Sequence, residues 1–183
     1  MFLSIDYLKH GNPKQQLAYS ALTRLNILNE LKDFSPVLCG TIPIGIDIEG
    51  SDLDIITEVN DLTPFKILLE NIYQEQEHFR ISHSIVRGIG TITANFTYEG
   101  FEIEIFGQPV PSIKQNAYLH LIIEHFILTQ NPNLKTKIIK LKTEGYKTEP
   151  AFCKILGLIG DPYEELIKYG IRVGAIDIEL KNE

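Results

Sequence analysis

Two aspartates stand one residue apart in Asp52-Leu53-Asp54. On a strand, side chains alternate between faces, so both carboxylates would leave the same side. Two negative groups held that close repel, and a bound cation removes the conflict. Carboxylates are hard oxygen donors, which suits Mg²⁺. Leu53, Ile55 and Ile56 would meanwhile anchor the strand in a core. A second acidic pair repeats the pattern in Phe101-Glu102-Ile103-Glu104-Ile105-Phe106, with apolar residues on one face and both glutamates on the other. If that strand lies beside the first, Glu104, or else Glu102, adds a third carboxylate. Three convergent carboxylates can hold one or two metal ions, position a triphosphate and activate an attacking hydroxyl. The ordinary reading of either pair taken alone is a solvated acidic face.

These groups need elements to carry them. Apolar residues at helical spacing (Leu17, Ala21, Leu25, Leu28, Leu31) predict a helix over Pro13–Lys32, which Ser35-Pro36 ends. Val37–Gly40 and Asp52–Thr57 read as strands. Leu62–Glu75 reads as a helix, with Thr63 as its cap before Pro64. Phe79–Val86, Thr91–Thr97 and Phe101–Phe106 read as strands, the last two a hairpin through Tyr98-Glu99-Gly100. From Pro111 the pattern turns helical. Ser112 and Gln115 have capping-box spacing for a helix through Ile127, and Leu134–Lys142 continues helically. Thr148-Glu149-Pro150 and Asp161-Pro162 open two further helices. The expected fold is α/β of the α+β kind, with a small mixed, mainly antiparallel sheet flanked by helices. Residues 1–110 would form the core, and residues 111–183 a helical part packed on it as one unit.

With both acidic strands placed, the chain resembles the nucleotidyltransferase superfamily, which has a polymerase-β-like fold. That pattern is apolar-Gly-(Gly/Ser), a spacer of about ten residues, then Asp-apolar-acid-apolar, and later an apolar-acid-apolar strand. Here it reads Cys39-Gly40-Thr41, ten residues, Asp52-Leu53-Asp54-Ile55, and then Ile103-Glu104-Ile105, with Ser51 before the first aspartate. Gln115-Asn116-Ala117-Tyr118, Lys147 to Phe152 and Gly160 to Tyr163 look like a bacterial branch known only as a domain of unknown function. The resemblance implies Asp52, Asp54 and Glu104 as metal ligands and catalytic groups. It implies Gly40, Thr41 and Ser51 at the phosphates. Lys147 is a separate candidate read from its position: just before a helix start, a cation and free backbone N–H groups could meet phosphate, and the plainer reading is an exposed lysine beside a capped helix. Two departures stand out. Thr41 replaces the usual Ser or Gly, and Ile42 to Ile48 reads as extended or looped where the superfamily starts a phosphate-binding helix.

Other candidates have plainer readings. His120 and Glu124 lie one helical turn apart, but no second histidine has zincin spacing, so a helix-surface or a buried, hydrogen-bonded histidine is the reading. Gly88-Ile89-Gly90 reads as a turn. Arg24 and Arg87 could meet phosphate, although no spacing singles them out. Lys135, Lys137, Lys140 and Lys142 read as a solvated helix face. Neither a P-loop nor a Gly-x-Ser-x-Gly elbow is present.

The totals are ordinary for a globular protein: 183 residues, 44% hydrophobic and 22% charged. A net charge of −7 disfavours a nucleic-acid partner. Cys39 and Cys153 lack any disulfide or zinc spacing. Met1 to Lys9 is too short and interrupted for a signal peptide, and no apolar run reaches the roughly 20 residues of a membrane span. A cytoplasmic location is expected. The reaction expected is transfer of a nucleoside monophosphate from a nucleoside triphosphate such as ATP, with Mg²⁺ or Mn²⁺, to a small-molecule or protein acceptor. A non-catalytic nucleotide- or partner-binding domain of the same fold, or a metal-dependent phosphohydrolase, would use the same residues.

Overall fold

The computed structural model describes residues 2–177, so residues 178–183 of the expected helical part lie outside it. Helix α1 (Pro13–Leu25) starts where Asn12 and Gln15 exchange hydrogen bonds between side chain and backbone, with Pro13 in the first turn. The expected single helix to Lys32 is interrupted. Asn26 adopts a left-handed conformation (φ 59°), leaving one turn, α2 (Ile27–Glu30), and a 3₁₀ turn over Lys32–Phe34. The buried stripe of α1 is Ala18, Ala21 and Leu22, while Leu17 points to solvent.

The sheet has five strands in the order β1-β2-β5-β4-β3. They are β1 (Val37–Cys39), β2 (Leu53–Glu58), β3 (Glu77–Val86), β4 (Ile89–Tyr98) and β5 (Phe101–Gln108). Only β2 and β5 pair in parallel; the other neighbours are antiparallel. Both hairpins turn through two left-handed residues, Arg87-Gly88 between β3 and β4 and Glu99-Gly100 between β4 and β5. That geometry matches the right-handed twist of the flanking strands.

Helix α3 (Leu62–Tyr73) crosses between β2 and β3, and its cap is Asp61, not Thr63. The Asp61 carboxylate accepts from the Thr63 N–H. The capping box expected at Ser112 is also absent. Ser112 Oγ instead donates to the Ser35 carbonyl, and Gln115 Nε2 donates to the carbonyls of Thr57 and Val110. A 3₁₀ turn (Ser112–Lys114) therefore precedes α4 (Asn116–Gln130), and Gln115 fastens the end of β2 to the start of the helical part. Then follow α5 (Leu134–Thr143), α6 (Thr148–Leu156) and α7 (Pro162–Arg172); Asp161 caps α7 through the N–H groups of Tyr163 and Glu164.

Alternation on the strands sorts the core into two layers. Leu53, Ile55, Ile103 and Ile105 face α1 and α3 with Ala94 and Phe96. On the opposite face, Val37, Cys39 and Ile56 pack with Leu121 and Ile123 of α4, Phe152 of α6 and Leu166 of α7. Those helices cover that face over β1, β2 and Phe106 of β5, and β3 remains largely exposed. Among the described residues no helix is long and apolar enough to cross a membrane.

Candidate active site

The boundary between the covered and open halves of the sheet is where the acidic residues emerge. Asp54 lies directly opposite Glu104 in the parallel β2–β5 ladder, and Cys39 lies opposite Asp54 on its other side. Asp52, just ahead of β2, is exposed, while Asp54 and Glu104 are half-buried. All three line a cavity of about 720 Å³ between the sheet and the helical part, together with Gly40, Thr41, Ser51 and Lys147. Glu102 lies elsewhere. It is exposed one residue pair further along β5, with Arg80 Nη2 at 3.6 Å.

Gly40 makes the arrangement possible. It has φ 79°, and a Cβ there would overlap Asp54 Oδ2. The backbone after β1 can therefore pass directly beside the carboxylate. Thr41 and Ser51 close the intervening loop: Thr41 Oγ1 donates to Ser51 Oγ at 3.4 Å, and Ser51 Oγ accepts from the Ile48 N–H at 2.9 Å. No helix begins after Thr41. Ile42, Ile44 and Ile46 are buried, and side chains take the loop's carbonyls: Gln15 bonds those of Ile42 and Pro43, Lys14 that of Ile48 and Lys142 that of Ile46. The looped reading of this segment stands, and its backbone is committed to the fold.

Burial, reinforced by Asp52, Glu104 and Glu149, pushes the Asp54 carboxyl up to about 7, against the pull of Lys142. In the metal-free chain this group is thus about half-protonated near neutrality, first because it is buried and second because the neighbouring carboxylates outweigh Lys142. The donor set is all oxygen and short of positive charge, which fits Mg²⁺ or Mn²⁺. As the side chains stand, among the described residues no three His, Cys, Asp or Glu groups converge on one ion position. Glu104 lines the cavity while its Oε2 accepts from Asn95 Nδ2 at 3.2 Å.

The helical wall carries His120 and Glu124, one helical turn apart, together with Glu149, which spacing did not single out. His120 is buried, with Nε2 2.9 Å from the Tyr163 carbonyl and Nδ1 3.3 Å from Glu149 Oε1. Of the two plain readings, helix-surface or buried and hydrogen-bonded, the structure has the second, with Glu149 as a partner the sequence did not point to. Burial works against the Glu149 charge, but the His120 hydrogen bond and charge, its own N–H and Lys147 hold its carboxyl below the usual range. Glu124 beside it is driven well above that range by burial and by Glu149. Lys142 corrects the reading of a solvated lysine face: only 7% exposed, it is pulled below its ordinary value by burial, against the influence of Glu124, Asp47, Asp52 and Glu149. Its spacing from buried Ile138, one helical turn earlier, was the available signal. Lys147 is exposed at the start of α6, on the cavity rim. Arg87 also reaches the rim, its guanidinium 5.8 Å from the centre of the Tyr163 ring, whereas Arg24 pairs with Glu99 away from the cavity.

Residues 20–169 match the family described as "Domain of unknown function (DUF4269)". No curated protein sequence matches the chain. Among solved structures it is similar to Cid1 poly(U) polymerase bound to MgATP (TM-score 0.54, 16% identity, 72% of this chain and 42% of that one). It is also similar to a cytoplasmic RNA terminal U-transferase (TM-score 0.53, 15% identity, 72% and 41%). A third is Cid1 with the UTP analogue UMPNPP (TM-score 0.50, 18% identity, 72% and 40%). The matched region thus spans about two-fifths of those chains, and at these identities the likeness concerns the fold.

Proposed function

Since the chain belongs to the DUF4269 family and has the polymerase-β-like nucleotidyltransferase fold, we propose that it is a cytoplasmic, metal-dependent nucleotidyltransferase. It would move a nucleoside monophosphate from a nucleoside triphosphate, ATP among them, to a small-molecule or protein acceptor, with pyrophosphate released. The observation that carries the reading is the pairing of Asp54 with Glu104, at the wall of a cavity that also takes in Asp52. Asp52, Asp54 and Glu104 would hold Mg²⁺ or Mn²⁺, which supplies charge neutralisation at the triphosphate and a more acidic attacking hydroxyl. Gly40 keeps the backbone close to Asp54, and Lys147 brings positive charge to the rim where phosphates would enter. Glu104 faces the open half of the sheet, the side from which an acceptor can approach, and helps take up its proton. The acceptor oxygen bonds to the α-phosphorus as the bond to the pyrophosphate oxygen breaks.

One observation favours a second reading, a non-catalytic nucleotide- or partner-binding domain. The loop after Thr41 is tied down by side chains and offers no helix N-terminus to a triphosphate. Pyrophosphate release separates the two. The purified chain is incubated with each nucleoside triphosphate, Mg²⁺ and a broad acceptor set. That set includes short RNA, because one similar structure is of an RNA terminal transferase. We expect release with at least one combination, reduced by roughly 10³-fold or more in Asp54→Asn. No release with any combination, together with unchanged nucleotide affinity in Asp54→Asn, would sink the enzyme reading.

A further inference from the structure

A straight row of side chains runs across four strands on the cavity face. Asp54 on β2 lies opposite Glu104 on β5, Glu104 opposite Asn95 on β4, and Asn95 opposite Arg80 on β3. We infer that Asn95 is a positioning residue, holding the Glu104 carboxylate at the cavity wall so that it is available to a divalent cation. This rests on the reading of Asp52, Asp54 and Glu104 as the metal-binding set.

The geometry and the chemistry of the row agree. Glu104 is flanked by a carboxylate on one side and by an amide on the other. Left to itself next to Asp54 and Asp52, its flexible side chain would swing away from like charge toward open solvent. The bond from Asn95 Nδ2 to Oε2, 3.2 Å long, opposes that swing, and Glu104 still lines the cavity while the bond is made. Among the described residues only one carboxylate oxygen is used, so Oε1 remains for a ligand. The donor is also neutral. A lysine or arginine at position 95 would cancel the charge that a cation needs, whereas an amide orients the carboxylate and leaves its charge intact. The row's own cation does not interfere, because Arg80 is turned to Glu102 at 3.6 Å. Ligating carboxylates are commonly fixed by such outer hydrogen bonds, and losing one costs roughly 10–100-fold in metal affinity.

Mn²⁺ titrated calorimetrically into the full-length, metal-free chain tests this without reference to turnover. Wild type should bind and Asp54→Asn should not. Asn95→Leu, close in size but lacking a donor, should bind roughly 10–100-fold more weakly, while its melting temperature in EDTA stays near wild type. Asn95→Gln, which keeps an amide donor, should recover much of the loss and guards against a folding defect in the leucine variant. Affinity in Asn95→Leu equal to or tighter than wild type overturns the inference, as does a glutamine variant as weak as the leucine one. If Asp54→Asn abolishes binding in those cases, the metal site itself survives. Wild type that takes up no Mn²⁺ overturns both.

Discussion

Asp54 is the residue on which burial and charge act most plainly. Its carboxyl ordinarily titrates at 3.8 and is shifted to about 7 by burial and three neighbouring acids. Between those two values the folded chain holds a proton that the unfolded chain has lost, so in the absence of metal its stability falls as pH rises through that window. Asn at this position removes the effect. In EDTA, Asp54→Asn should therefore be more stable than wild type by roughly 2–4 kcal/mol at pH 8, with no difference near pH 3.5. Chemical denaturation of both proteins across that range checks this, and a parallel pH profile would show that Asp54 is not the strained group. The acid pattern itself was legible, because alternation puts both members of each pair on one face. Which glutamate belongs with the aspartates was not. Only the register of β5 against β2 separates Glu104, opposite Asp54, from Glu102, turned to Arg80. Lys142 was misread for a related reason: its burial depends on the Ile46 carbonyl, nearly a hundred residues away in sequence.

At the scale of elements, the connection from β1 to β2 controls the site more than either strand does. Gly40 combines a left-handed backbone with a side-chain-free approach to Asp54. Gly40→Ala should cost about 1 kcal/mol from the backbone alone, plus a clash relieved only by moving Asp54. We expect a lower melting temperature together with weakened Mn²⁺ binding. Normal binding at reduced stability would mean that Asp54 has room to yield. Periodicity recovered the strands and the β4–β5 hairpin, since those depend on local alternation and on turn residues such as Glu99-Gly100, whereas Gly88-Ile89-Gly90 read only as a turn and not as the β3–β4 hairpin it closes. It failed where side chains are claimed by distant partners. Ser112 and Gln115 have capping-box spacing, yet Ser35, Thr57 and Val110 take their hydrogen bonds. Asn26 breaks the first helix although the apolar spacing runs straight through it.

Across the whole molecule, the second core layer joins the two parts of the chain. Val37, Cys39, Ile44, Ile46 and Ile56 from the first part are buried against helices of the second. We propose that the core and the helical part fold as one unit. A fragment ending at residue 110 should then be aggregated or unfolded, since it would expose those five side chains at once. A soluble fragment with a cooperative melt would contradict that. The parallel pairing of β2 with β5 has a further consequence, in time instead of space. Asp54 and Glu104 are fifty residues apart in the chain, and a helix and a hairpin lie between them. Loop-closure entropy makes contacts of that separation slow to form, whereas the β3–β4 and β4–β5 hairpins need only their own turns. The acids thus stay apart through the early events of folding and meet only when β5 docks on β2. A chain caught before that docking would present no cluster of three carboxylates to the ions around it.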